Sequence, residues 1–253
     1  MTVTAIIQAR MGSSRLPGKV LAPILGQPML WHMLQRLKHA ARLGQILVAT
    51  TDKPEDRPIT ELAASLGIAS FTGSEQDVLD RYYRAARTVN ADPIVRLTAD
   101  CPLIDPHLVD QVVEEFVAHR CDHAALAGTY PDGLDTEIVT FEALSTAWRE
   151  AVLPSEREHV TPFIWTRPER FRLRQIRSTE DYSVHRWTVD DPRDLELVRA
   201  IFGELYQEGR LFFMRDVLSL LARRPDLAAI NRGITRNEGY RKSLQEDAAW
   251  VTR

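Results

Sequence analysis

Val3-Thr4-Ala5-Ile6-Ile7-Gln8-Ala9 runs directly into Arg10-Met11-Gly12-Ser13-Ser14-Arg15-Leu16-Pro17-Gly18-Lys19. The first seven residues form a short, almost continuous apolar run, which predicts a strand buried on both faces. Such strands belong to parallel sheets covered by helices, so the run points to an α/β fold. The loop that follows carries two glycines, two serines and three cations. Glycine lets a backbone approach phosphate, and serine hydroxyls and free N–H groups can line it. Arginine and lysine neutralise its charge, the first as a fork and the second as a point charge. The loop is not a Walker A motif. Five residues separate Gly12 from Gly18, and Val20 rather than Ser or Thr follows Lys19.

Outward from this stretch, strands and helices alternate. Leu30, Met33, Leu34, Leu37 and Ala41 recur at helical spacing, with Gly44 as a stop. Strands are expected at 45–50, near 68–71 and at 93–97, with helices near 59–66 and from about Asp77 to Val89. Asp105-Pro106 reads as an N-cap followed by the first helical residue. This rhythm predicts a Rossmann-like, mostly parallel sheet with helices on both faces. Ligands bind such sheets beyond the carboxyl ends of the strands. The second half is less regular and predicts a small additional β/helical subregion. TEIVTF (136–141) and FRLRQIR (171–177) read as strands, and as partners of each other. Ser155 to Glu158 has capping-box spacing for a helix to about Thr166, and Asp191-Pro192 opens another helix. No Pro/Gly/Ser-rich linker divides the chain. It reads as a single domain over 1–253, with a nucleotide-binding half to about 120 and an acceptor half with tail helices after it.

The 253 residues suffice for a core without disulfides, and the two cysteines exclude a disulfide scaffold. A net charge of -3 offers no footprint for nucleic acid or an anionic membrane. No stretch reaches the roughly 20 apolar residues that span a bilayer, and the first residues do not read as a signal peptide. A cytoplasmic location is therefore expected.

Asp100 follows the strand at 93–97, at the ligand-binding end. A carboxylate beside a polyphosphate needs a cation between them, and Mg²⁺ is commonly held by one or two carboxylates plus phosphate oxygens. Asp105 is the better cap, which leaves Asp100 free for that role. Similarly, Asp191 serves as the cap before Pro192, and Asp190 is left over. Asp135 and Glu137 alternate about Thr136, so an extended segment presents both on one face. Arg81 follows a loop on the nucleotide side. His159 and Arg186 are candidates to meet an anionic acceptor. Cys101 precedes Pro102 with no readable histidine partner and reads as packing.

The loop string resembles the signature of the acylneuraminate and 3-deoxy-manno-octulosonate cytidylyltransferases, and more closely the branch of spore coat polysaccharide biosynthesis protein F. The match continues through Val48-Ala49-Thr50-Thr51-Asp52, Gly73 to Tyr83, Arg96 to Pro106, Asp132 to Glu137, Ser155 to Pro162, Arg186 to Asp190 and Asn237 to Tyr240. The resemblance implies transfer of CMP from CTP to an acidic sugar or related acceptor, with release of pyrophosphate. It implies Asp100 and Asp190 as ligands of Mg²⁺, and Arg10, Arg15 and Lys19 on the triphosphate. Gln8, Ala9, Gly12, Ser13, Ser14, Asp52 and Arg81 would line the nucleotide, and Asp135, Glu137, His159 and Arg186 the acceptor. A homodimer through the tail helices is a further expectation. No general base is evident. The competing reading is a glycosyltransferase using a nucleotide-sugar donor. Its usual Asp-x-Asp pair is absent, since Cys101-Pro102 follows Asp100. A degenerate nucleotide-binding module without turnover ranks last, because the candidate aspartates and cations are all present.

Overall fold

The computed structural model describes residues 2–251. In chain order, β1 (Thr4–Gln8) leads through the loop and a small hairpin, β2 (Pro23–Ile24) and β3 (Gln27–Pro28), to α1 (Met29–Leu37). There follow β4 (Gln45–Thr51), α2 (Arg57–Ser65), β5 (Ala69–Gly73), α3 (Val78–Thr88), β6 (Ile94–Thr98) and α4 (Pro106–His119). The second half adds β7 (His123–Leu126), β8 (Glu137–Val139), α5 (Phe141–Glu150), α6 (Pro154–His159), α7 (Pro162–Trp165) and β9 (Leu173–Ile176). It closes with α8 (Pro192–Leu205), α9 (Met214–Arg223), α10 (Pro225–Ala229) and α11 (Glu238–Val251). None of the described helices is long and apolar enough to cross a membrane.

Seven strands form one sheet in the order β5-β4-β1-β6-β8-β7-β9. The pairs β5·β4, β4·β1, β1·β6 and β7·β9 are parallel, and only β8 runs against its neighbours. Alternation along the strands feeds two cores. Ala5 and Ile7 pack with α1, α2 and α4, while Ile6 packs with α3, α5 and α7. A third core gathers Ile24, Met29, Leu134, Trp187 and Val189 under α8, α9 and α10. From β1 the chain moves outward to β4 and β5, then returns to place β6 on the other side of β1. The order therefore reverses between β1 and β6, and a crevice opens beyond their carboxyl ends.

Several expected details differ. α1 ends at Leu37, and Ala41 lies exposed beyond it, because the chain turns at Lys38–Ala40 before Gly44 is reached. β9 pairs with β7, not with β8, since β8 is already flanked by β6 and β7. The helix expected from Ser155 to Thr166 is broken in two at Val160, whose φ is 72°. Its N-terminus is held by Glu156, which accepts from the Val152 and Leu153 N–H groups, while Ser155 is buried against Asp247.

Candidate active site

A cavity of 1030 Å³ opens at the β1/β6 crevice. Its floor comes from the loop after β1. There the Met11 carbonyl accepts from the Ser13 and Gly18 N–H groups, and Gly18 takes φ 71°, a left-handed conformation that favours glycine. Asp56 anchors this loop, accepting from Met11 N–H at 2.6 Å and from the Thr51 hydroxyl. Asp56 was not among the sequence candidates. Asp52 was, but it is exposed and does not line the cavity. Four residues later the chain supplies the acid that faces the loop.

Gln8, Ala9, Arg10, Ser13, Ser14, Arg15 and Lys19 line the cavity, and Gly12 lies in the same loop against Glu75. Arg10 and Arg15 are 45% and 38% exposed and each faces a carboxylate, Arg10 meeting Glu75 at 3.8 Å and Arg15 meeting Asp190 at 3.2 Å and pairing with Glu238, whereas the Lys19 side chain is only 10% exposed. Lys19 Nζ donates to Asp100 Oδ2 at 3.0 Å, to Asp190 Oδ1 at 2.6 Å and to the Val189 carbonyl at 2.7 Å. Two carboxylates distant in sequence thus meet at one cationic position. Lys19 was expected on a triphosphate; here it bridges the aspartates. Burial alone would raise the Asp100 carboxyl, but Lys19 and the Thr98 hydroxyl outweigh it and hold it below its ordinary value. Burial likewise opposes the Lys19 charge, and the two aspartates overcome it, so its pKa lies above the ordinary lysine value.

Backbone hydrogen bonds explain why these distant segments meet. Val189 N–H donates to the Asp100 carbonyl at 2.8 Å. Trp187 and Thr188 N–H donate to the Asp132 carbonyl at 2.6 and 3.1 Å. At Gly133 the segments touch so closely that a Cβ would fall 2.3 Å from Thr188 N. Asp191 caps α8 by accepting from Arg193 N–H, which leaves Asp190 turned to the cavity.

Arg186 lines the cavity but is committed elsewhere. It donates to Asp132 at 2.7 Å, to Asp190 at 3.1 Å and to Asp194 at 3.1 Å. Sequence reasoning missed Asp194, which is fully buried and also accepts from the Asp190 and Asp191 N–H groups. Its capping-box spacing after Asp191 was the available signal. Arg186 and Asp194 together fix where the Asp190 carboxylate points. Burial and the neighbouring Asp135 push the Asp132 carboxyl up to about 6.

Asp135, Glu137 and His159 line the opposite wall. Asp135 pairs with Arg236 at 3.1 Å. Glu137 accepts from Arg96 and His123, the latter at 2.9 Å, and from the Thr161 hydroxyl at 2.6 Å. Burial pushes its carboxyl up, but Arg96 and then His123 dominate and leave it at about 2. Arg96 was also missed, although a charged residue inside the otherwise apolar run of β6 was its signal. Arg81 lines the cavity, donating to the Ser74 carbonyl at 2.5 Å; among the described residues its buried Nε has no partner. Cys101 is buried, and its thiol is pushed well up by burial, in keeping with packing rather than nucleophilic chemistry.

The Glu137 pKa predicts a pH effect. The unfolded carboxyl titrates near 4.5, so the stability it contributes is full above that pH and is lost as pH falls through about 2. Glu137→Gln is expected to lower stability by about 2 kcal/mol at pH 7. The gap should close as pH approaches 2. Urea unfolding from pH 7 to 2 measures it, and a gap independent of pH would contradict the ion-pair account.

A model of the family described as Cytidylyltransferase matches residues 4–215. The spore coat polysaccharide biosynthesis protein SpsF of Bacillus subtilis is 31% identical over 88% of this chain and 95% of its own length. A 3-deoxy-manno-octulosonate cytidylyltransferase of Trichlorobacter lovleyi is 37% identical over 47% of this chain and 46% of its own. The solved structure of a cytidylyltransferase from Leptospira borgpetersenii superposes with a TM-score of 0.87 at 34% identity, covering 93% of this chain and all of that one. A mostly parallel sheet of seven strands, a cation-rich loop after the first of them, and matches spanning most of the sequence make this chain a member of the cytidylyltransferase family.

Proposed function

We propose that this chain transfers CMP from CTP to an acidic sugar or related acceptor and releases pyrophosphate, in the synthesis of surface polysaccharide or glycan precursors. One observation carries the reading: Asp100 and Asp190 converge on a single cationic position at the end of the Arg10–Lys19 loop. In the reaction an acceptor oxygen attacks the α-phosphorus of CTP. This needs positioned reactants and neutralised charge more than covalent help from the protein. Arg10 and Arg15, exposed on the loop, would bind the triphosphate and offset the charge that builds on pyrophosphate. Glu137, clamped by Arg96, His123 and Thr161, offers a fixed acceptor for hydroxyl groups of the sugar.

The donor set suits Mg²⁺. Both side chains at the position offer hard carboxylate oxygens, and no group of three or more His, Cys, Asp or Glu residues arranged for a metal occurs among the described residues. Two carboxylates completed by phosphate oxygens and water are a common Mg²⁺ arrangement. Asp100 and Asp190 would hold the ion, which when bound supplies divalent charge against the triphosphate. The related proteins named above support CTP as donor, and the octulosonate enzyme supports an acidic sugar as acceptor.

The test combines the four nucleoside triphosphates and Mg²⁺ with a panel including 3-deoxy-manno-octulosonate and N-acetylneuraminate, reading pyrophosphate and product mass. CTP with one acid is expected to give pyrophosphate and a CMP conjugate. Equal turnover of all four triphosphates, or none with any acceptor, would refute the reading. Turnover only with a nucleotide-sugar donor would favour a glycosyltransferase instead.

A further inference from the structure

His159 closes α6 and lines the cavity, with its side chain 26% exposed. Its Nε2 lies 3.0 Å from the Ser243 hydroxyl. That same oxygen lies 2.5 Å from Glu158 Oε2 and 3.1 Å from the Gly239 carbonyl. A serine hydroxyl has one proton, and an ionised carboxylate only accepts. The shorter contact, to the charged partner, takes that proton. Toward His159 the hydroxyl must therefore accept, so Nε2 carries the ring hydrogen and Nδ1 carries the lone pair. Among the described residues no hydrogen bond reaches Nδ1.

Ser243 belongs to α11, which lies beyond the residues matched by the family model. The helix is pinned to α6 by Asp247, which accepts from Ser155 N–H at 2.9 Å and from its hydroxyl at 2.5 Å. Tyr240 of the same helix packs perpendicular to the imidazole at 5.1 Å.

We propose that His159 Nδ1 takes the proton from the attacking acceptor hydroxyl, with Ser243 and Glu158 as positioning residues that hold the required tautomer. The inference rests on the cytidylyl-transfer reading above. In the step, the acceptor oxygen bonds to the α-phosphorus, and the bond from that phosphorus to the bridging oxygen breaks. Pyrophosphate leaves with the electron pair, and the hydroxyl proton passes to His159 and then to water. A base of this kind needs a neutral ring at working pH. Burial supplies it by holding the imidazole below its ordinary value. Arg96 acts in the same direction, while Glu158, Glu137 and Asp247 oppose it without reversing it.

The tautomer can be measured without any substrate. Long-range ¹H–¹⁵N spectra of the full chain are expected to show His159 as the Nε2–H form, and Ser243→Ala to erase that preference. An Nδ1–H form in the unsubstituted protein overturns the proposal. Turnover is then followed with CTP, Mg²⁺ and whichever acid of the panel reacts. His159→Asn is expected to lower kcat about 10²- to 10⁴-fold and abolish the acidic limb of the pH profile, with the Kd for CTP unchanged. Ser243→Ala is expected to shift that limb and lower kcat about tenfold, again without touching CTP binding. A His159→Asn enzyme that keeps the limb, or that loses CTP affinity in proportion to kcat, overturns the assignment. Failure of the unsubstituted enzyme on every acceptor would sink the transfer reading, while the spectra still judge the tautomer.

Discussion

Asp100→Asn is expected to slow pyrophosphate release by at least about a hundredfold at saturating CTP and Mg²⁺, while the protein stays folded. The carboxylate sits at the carboxyl end of β6, where the strand order reverses, and among the described residues it is one of two acids that reach Lys19 Nζ. Asparagine keeps the shape and can still accept from the Thr98 hydroxyl. It removes the negative charge that a divalent ion would need. Loss of one preorganised charge contact raises a barrier by about 3 kcal/mol. Structure should survive because the segment is held by main-chain bonds, Val189 N–H to the Asp100 carbonyl among them, which the substitution leaves in place. Single-turnover pyrophosphate kinetics, with circular dichroism as the fold control, make the measurement. Turnover at the unsubstituted rate would remove Asp100 from the metal role.

Asp100 could be named from sequence because its position follows from one strand and one cap. An apolar run ends at Leu97, Asp105 is claimed by the helix that Pro106 starts, and Asp100 is what remains at the ligand end. The same elimination isolates Asp190 before Asp191-Pro192. The strand and loop at 3–19 were legible for a similar reason, since strand pattern and loop composition are both local. What stayed hidden depends on partners far along the chain. Arg186 reads as a free cation in sequence, yet Asp132 and Asp194 take its donors. Asp52 and Asp56 are equivalent acids in a polar stretch until the short 3₁₀ turn at Pro54–Asp56 turns one of them inward against Met11 N–H. The pairing of β9 with β7 has no local signature, because edge position is decided by which strands β8 has already met. The break at Val160 is equally nonlocal: Thr161 is drawn to Glu137 on the sheet, which bends the chain away from a continuous helix.

Lys19→Met is expected to destabilise the protein by about 3 kcal/mol without divalent ions, and Mg²⁺ to restore much of the loss. Lys19 is the ammonium between two carboxylates, and methionine matches its length without its charge. Removing one member of a buried ion pair typically costs about 3–5 kcal/mol, because its partner is left desolvated and unneutralised; here that partner is Asp100, since Asp190 keeps Arg186 at 3.1 Å and Arg15 at 3.2 Å. The aspartate side chains are 24% exposed, so water screens part of this and the lower end applies. For a chain of this size the loss corresponds to a Tm lower by about 6–12 °C. The pH dependence has a definite sign. Asp100 titrates below its ordinary 3.8, so its share of the stability is present above that pH and fades as pH falls through the depressed value. Lys19 titrates above its ordinary 10.5, so its share is present below that pH and fades as pH rises through the raised value. The gap between the two proteins should therefore be widest near neutrality and close at both extremes. Calorimetry with and without Mg²⁺ gives both quantities. Equal Tm values in the absence of metal would mean that the triad carries no stability. A Mg²⁺ response no larger in Lys19→Met than in the unsubstituted protein would mean that ammonium and metal do not share one position, and Lys19 would then return to the triphosphate.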